Sequence, residues 1–325
     1  MVVAVLLLIA GFVILIKGAD FLVGGASSAA KKFQVSNLAI GLTVVAFGTS
    51  MPELVVNIIS ATSGENDAAF GNVIGSNNFN LLFILGVAGI IYPLVVQRKT
   101  VKYEVPISLA GALILYVLVN DNRVFGDEQN ILSRMDGIIL LGFFMGFLFY
   151  IYRTMKQESD YGEEGEIKIY SNLKATGMII VGMVMLVGGG KLAVDNAVFI
   201  AESFNLSKKL IGLTILAAGT SLPELATSAV AAYRKNTDIA IGNVIGSNIF
   251  NIFFILGVTG VISPIPFNTA LNFDIYVLTA ATITLLVFMF TLNTRKLDRW
   301  EAVILFAGYI TYMVYLISME EGIPK

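Results

Sequence analysis

The sequence predicts an all-α polytopic membrane protein: ten transmembrane helices in two inverted-topology five-helix repeats, with helices 2 and 7 discontinuous. Three observations lead there: an apolar composition, a regular recurrence of membrane-length runs, and an internal repeat. Of 325 residues, 56% are hydrophobic and only 14% charged, whereas a soluble protein carries about 25% charged residues. The mean hydropathy is +0.81. Apolar runs of about 20 residues, the length that crosses a bilayer, recur from one end of the chain to the other.

The first five runs cover residues 3–29, 37–61, 70–92, 103–120 and 136–153, and the other five cover 174–203, 208–232, 241–263, 273–293 and 300–318. The chain therefore divides into an N-terminal five-helix unit (1–153), a short linker (154–173) and a C-terminal five-helix unit (174–325). The linker is the most polar stretch of the protein and too short to fold alone. The opening run lacks a basic leader and continues past Lys17. It reads as a first spanning helix, not a cleaved signal peptide.

Residues 33–93 align with 204–264 at a constant offset of 171, without a gap and with roughly half the positions identical. The heptapeptide Gly71–Asn77 recurs verbatim as Gly242–Asn248, and Pro93 meets Pro264. Chance similarity between apolar segments does not hold Gly, Asn, Ser, Pro and Glu in register over that distance. The offset spans five helices, an odd number, so the two copies enter the membrane from opposite sides, as in many secondary transporters. Lys31, Lys32, Arg98, Lys99, Lys102, Arg153, Lys156, Arg234, Lys235, Arg295 and Lys296 all fall on one side of this topology. The other side holds Arg123, Arg134, Lys208, Lys209 and Lys325. Cytoplasmic loops carry the excess of Lys and Arg, which puts both termini outside and the linker in the cytoplasm.

Within the repeat, Gly48-Thr49-Ser50-Met51-Pro52-Glu53 is echoed by Gly219-Thr220-Ser221-Leu222-Pro223-Glu224. Carboxylates at membrane depth are rare and mark an ion or substrate path. Pro52 and Pro223 lack an N–H and disrupt a continuous helix, directing backbone oxygens of residues 46–49 and 217–220 toward a ligand. Thr49, Ser50, Thr220 and Ser221 add hydroxyls. With no Cys and no His in the chain, thiolate, imidazole and disulfide chemistry is excluded, and an oxygen-only ligand set favours hard cations such as Ca²⁺ or Na⁺. In the third span Asn72, Ser76 and Asn80 follow at i, i+4 and i+8, repeated as Asn243, Ser247 and Asn251. Ser76, Asn80, Ser247 and Asn251 read as ligands, and Asn72 and Asn243 equally well as bonds between helices. Gly71, Gly75, Gly242 and Gly246 form a small-residue pattern suited to close helix approach. Two carboxylates neutralise one Ca²⁺, and an empty pair repels itself and takes up Na⁺ or protons. Lys17 with Asp20, and Lys191 with Asp195, read as local ion pairs, and Glu104 and Glu202 as solvated groups near span ends.

At these residues the sequence resembles the cation/calcium antiporter superfamily, and within it the prokaryotic sodium/calcium exchangers with two alpha repeats. The likeness is close over the second, third, seventh and eighth spans. It implies Ca²⁺ export driven by inward Na⁺ through alternating access, at the cell membrane and without a cofactor. Carried over by position, Glu53 and Glu224 hold Ca²⁺ with help from Thr49 and Thr220. Ser50, Ser221, Ala46, Ala217, Ser76 and Ser247 serve flanking Na⁺ sites, and Asn80 and Asn251 complete the central layer. The cation/proton branch usually has Asn where Thr49 and Thr220 stand, so the sodium branch fits better. Asn251 replaces the Asp linked with potassium dependence, and the calcium-sensing insert of animal exchangers is absent. The implied partners are Ca²⁺, Na⁺ and the lipid bilayer, with no nucleic acid and a functional monomer. A Ca²⁺/H⁺ antiporter on the same fold and a passive cation channel remain the alternatives. An intramembrane enzyme is a remote alternative, because Ser50 and Ser221 have no His or Lys base beside them and the chain has no Cys.

Overall fold

The computed structural model describes residues 1–124, 126, 129–154, 168–204, 217–291 and 295–321. Its long helices are α1 (Val2–Phe33), α2 (Asn37–Thr49), α3 (Met51–Thr62), α4 (Asn66–Ile91), α5 (Thr100–Val119) and α6 (Arg134–Thr154). They continue as α7 (Asn172–Ser203), α8 (Leu222–Tyr233), α9 (Thr237–Ile262), α10 (Thr269–Phe288) and α11 (Arg299–Glu321). Eight helices among the described residues are long and apolar enough to cross a membrane, or nine if α2 and α3 count as one broken span. The sequence expectation of ten includes a span at 208–232, of which only the part from 217 is described.

Local chemistry sets the helix ends. The α1 chain stops at Gln34, which takes a left-handed conformation (φ 54°) behind Lys31 and Lys32 in the last turn, a C-terminal arrangement that basic residues favour. Ser36 then caps α2, its hydroxyl accepting the Ala39 N–H at 3.1 Å. The α2–α3 pair bends by 46° at Ser50. The break expected at Pro52 is present: Pro52 lies in the first turn of a new helix, where its missing N–H would be unsatisfied anyway.

Helices α4 and α9 are the most buried spans. Each widens into a π-helical turn at the same place in the repeat, Phe79–Ile84 and Phe250–Ile255; such turns recur at functional sites. Around this core, α1 and α7 run antiparallel in close contact. A Cβ on Gly11 would meet Ala193, one on Gly18 would meet Gly182 and Met185, and one on Gly25 would meet Ala175. Small residues let the backbones approach, since lipid supplies no hydrophobic drive between helices. Of the four glycines expected to allow close approach, Gly242 and Gly246 press on Leu38 and Leu42 of α2, whereas a Cβ on Gly71 or Gly75 would meet nothing within 4 Å among the described residues.

Two short antiparallel strand pairs join distant segments of the chain. Leu94 and Val95 face Leu297 and Lys296, while Ile131 and Leu132 face Pro266 and Ile265. Each pair therefore joins an early segment of the chain to a late one. The packing is also asymmetric: α1 lies along α8, whereas α7 makes no comparable contact with α3. Helix α7 instead touches both breaks, with Met183 against Gly48 and Val194 against Gly219.

Two charge expectations change. Asp20 pairs with Arg234 of the chain beyond α8, not with Lys17, because α8 packs along α1 and brings the guanidinium alongside. Glu104 is not solvated but 2% exposed, bonded by the Tyr150 hydroxyl at 2.5 Å. The Lys191–Asp195 pair forms at 3.6 Å on an exposed face, and Glu202 is exposed.

A candidate cation site between two broken helices

Glu53 and Glu224 stand in the first turns of α3 and α8. The positive end of each helix dipole therefore underlies a carboxylate. Both are buried, at 0% and 1% exposure, and close enough for their charges to repel. The residues before them, Ser50 and Ser221, have nearly the same backbone angles (φ −87°, ψ 5° and φ −90°, ψ 6°). A serine at this position normally caps its own helix. Here neither does; each hydroxyl crosses to the opposite half.

Ser50 Oγ lies 2.8 Å from Glu224 Oε1 and 3.0 Å from Ser247 Oγ. Ser221 Oγ lies 3.2 Å from Glu53 Oε1 and 3.0 Å from Ser76 Oγ. The Thr49 hydroxyl reaches Asn243 Oδ1 at 3.1 Å, and the Thr220 hydroxyl reaches Asn72 Oδ1 at 3.4 Å. Asn72 and Asn243 in turn donate to the Glu53 and Glu224 backbone carbonyls, both at 3.2 Å. Of the two readings of these asparagines, the structure shows the helix-to-helix bonds. The Ala46 carbonyl accepts the Ser50 N–H at 3.0 Å and the Thr49 hydroxyl at 3.3 Å. Ala217 opens a short helical turn to Gly219.

What remains unbonded is informative. Among the buried side-chain oxygens without a hydrogen-bond partner are Glu53 Oε2, Glu224 Oε2, Asn80 Oδ1 and Asn251 Oδ1. Buried oxygens are nearly always bonded, and two carboxylates without cationic partners are held there against their hydration and mutual repulsion. All four belong to residues that the sequence had singled out, and all four are acceptors. A cation satisfies such a set; another hydrogen-bond acceptor does not. No cluster of three or more acidic, His or Cys residues exists among the described residues, so the charge available is two carboxylates, supplemented by neutral oxygens.

Sequence reasoning passed over Asn77 and Asn248, which are 0% exposed and bond across the contact between α4 and α9. Their signal was present, since both lie inside the heptapeptide repeated verbatim. It also passed over Asn57, which donates to Thr259 at 3.1 Å, and Ser228, which accepts from Asn243 at 2.9 Å. These occupy equivalent positions in the two halves with different side chains, so no repeat signal marked them.

The family model described as sodium/calcium exchanger protein matches residues 3–153 and 174–318. The chain is 33% identical to the inner membrane protein YrbG of Escherichia coli, over 97% of each chain. It is 33% identical to the sodium/calcium exchanger MaX1 of Methanosarcina acetivorans, over 96% of this chain and 97% of that one. Among solved structures, the sodium-calcium exchanger NCX_Mj soaked with Na⁺ and Ca²⁺ superposes with a TM-score of 0.80 at 31% identity, covering 97% of this chain and 98% of that one. A helical polytopic fold and a family match over nearly the whole chain agree: the protein belongs to the sodium/calcium exchanger family and is a multi-pass membrane cation/calcium antiporter.

Proposed function

We propose that the protein exchanges Na⁺ for Ca²⁺ by alternating access, exporting Ca²⁺ on the inward Na⁺ gradient across the cell membrane as a monomer. The observation that carries this reading is the set of four unbonded buried oxygens, two of them carboxylates of α3 and α8 and two of them amides of α4 and α9. Glu53, Glu224, Asn80 and Asn251 hold Ca²⁺ with Thr49 and Thr220. Ser50, Ser221, Ser76, Ser247 and the Ala46 and Ala217 backbone serve Na⁺. In this reading several Na⁺ and one Ca²⁺ compete for the same carboxylates, so one species leaves as the other arrives. A carrier whose carboxylates are bare pays repulsion and desolvation together, which disfavours an empty crossing and couples the two fluxes.

The proposed architecture is two inverted halves, 1–153 and 174–325, joined by 154–173. It is supported by the repeat and by the antiparallel run of α1 against α7. The strand pairs support it as well: in this topology each joins segments on one membrane face. Both termini then lie outside, with the linker in the cytoplasm. The asymmetric packing of α1 on α8 is what one of two alternating states requires.

Ca²⁺ uptake into proteoliposomes preloaded with Na⁺ tests the coupling. An outward Na⁺ gradient is expected to drive uptake and a pH gradient to leave it unchanged. Uptake driven by the pH gradient alone would replace Na⁺ with H⁺ as the counter-ion.

A further inference from the structure

Four asparagines between α4 and α9 form one bonded network: Asn77 and Asn248 bond each other reciprocally, and Asn251 and Asn80 each donate to one of them. Asn80 Nδ2 donates to Asn248 Oδ1 at 2.9 Å, and Asn251 Nδ2 donates to Asn77 Oδ1 at 3.0 Å. Asn77 Nδ2 donates to the Asn248 backbone carbonyl at 3.3 Å, and Asn248 Nδ2 to the Asn77 carbonyl at 3.4 Å. All four side chains are 0–1% exposed.

A side-chain amide has two faces of opposite polarity, and rotating it by half a turn exchanges donor for acceptor. The network removes that freedom in steps. A backbone carbonyl can only accept, so the amide of Asn77 must turn its nitrogen toward Asn248. Its oxygen then faces Asn251, which must answer with its own nitrogen. The oxygen of Asn251 is left unbonded. The same sequence, starting from the Asn77 carbonyl, passes through Asn248 to leave the oxygen of Asn80 unbonded. Were either amide reversed, it would present N–H to a cation, turning attraction into repulsion.

We propose that Asn77 and Asn248 are positioning residues that fix which face of the Asn251 and Asn80 amides meets the transported cation. The inference rests on the site reading above. The two backbone carbonyls are the reference points of the device, and each half of the protein orients the ligand of the other.

The test is a pair of double-mutant cycles on the full chain, read as the Ca²⁺ KM for Na⁺-driven uptake and as Ca²⁺ binding by calorimetry in detergent. Asn77→Ala frees the Asn251 amide to turn and is expected to weaken Ca²⁺ about tenfold, as the loss of a bond that orients a charged interaction does. Asn251→Asp presents oxygen on both faces and has no wrong orientation. On that background Asn77→Ala is expected to change Ca²⁺ affinity by less than about twofold, a non-additivity that marks residues acting as one unit. A residue with only a packing role would impose the same loss on both backgrounds, and that result overturns the proposal. So does an unchanged KM for Asn77→Ala. The cycle of Asn248→Ala with Asn80→Asp decides the matter if Asn77→Ala does not fold. The site reading has its own control: if Asn251→Ala and Glu53→Gln both leave the Ca²⁺ KM unaltered, the ligand assignment fails. If they raise it while Asn77→Ala does not, only the positioning role fails.

Discussion

At the residue scale, the serines that precede the two glutamates show how function displaces local preference. Ser50 and Ser221 occupy N-cap positions and cap nothing in their own helices; a helix gives up about 0.5–2 kcal/mol when its cap is absent. Their hydroxyls serve the other half's carboxylate instead. Such conflicts between local rule and observed geometry concentrate at working sites. The glutamates themselves carry more of the free energy. Replacing Glu53 or Glu224 with Gln keeps the shape and removes half the charge that faces a divalent ion. Either substitution is expected to weaken Ca²⁺ by about a hundredfold or more, the loss typical when a buried charge partner is removed. Ca²⁺ uptake measured against Ca²⁺ concentration checks this, and normal transport by both variants would remove the site from between α3 and α8. Ser50→Ala leaves a carboxylate one bond short, so about a tenfold effect is expected in the same assay.

At the element scale, close approach is the governing constraint. A Cβ on Gly246 would stand 2.8 Å from the Ala46 Cβ and 2.9 Å from the Leu42 Cα. Gly246→Val is therefore expected to destabilise the protein by about 1–3 kcal/mol through overpacking. Gly142, on α6, has nothing within 4 Å of that position among the described residues, and Gly142→Ala is expected to stay within about 0.5 kcal/mol of the parent. Melting temperatures in detergent compare the two directly; equal shifts would contradict the packing described. Much of this level was readable in the chain itself. The repeat placed the glutamates, serines and asparagines in matching spans, because a polar residue kept twice in an apolar setting is conspicuous. The network through Asn77 and Asn248 was not readable, since each follows a stripe serine directly and so lies off the i, i+4, i+8 face. Only the contact between α4 and α9 gives it a partner. The π-helical turns at Phe79–Ile84 and Phe250–Ile255 left no mark in composition either. The pairing of Asp20 with Arg234 escaped too, since a partner four residues away on one helix is visible in sequence and one on another helix is not.

At the scale of the whole molecule, an ion that binds the folded state between two halves stabilises both. Ca²⁺ at about 100 times its Kd is expected to add about 2.7 kcal/mol to the folded state, seen as a melting temperature that climbs with Ca²⁺ concentration. Mg²⁺, which demands short octahedral bonds and sheds water reluctantly, is expected to raise it far less. The Glu53→Gln variant is expected to lose most of the Ca²⁺ response; an undiminished response would mean that the stabilising ion binds elsewhere.

The two strand pairs have a consequence for what the covalent chain is needed for. Leu94–Val95 with Lys296–Leu297 is one seam, and Ile131–Leu132 with Ile265–Pro266 is the other. Beside them, the Asn120 and Asn272 amides exchange bonds at 2.9 and 2.8 Å, and Gln97 donates to Asp238 at 2.5 Å. None of these stitches involves residues 154–173. A polypeptide severed in that segment is expected to hold together as a heterodimer of its own pieces, which co-purification of the two fragments from membranes checks.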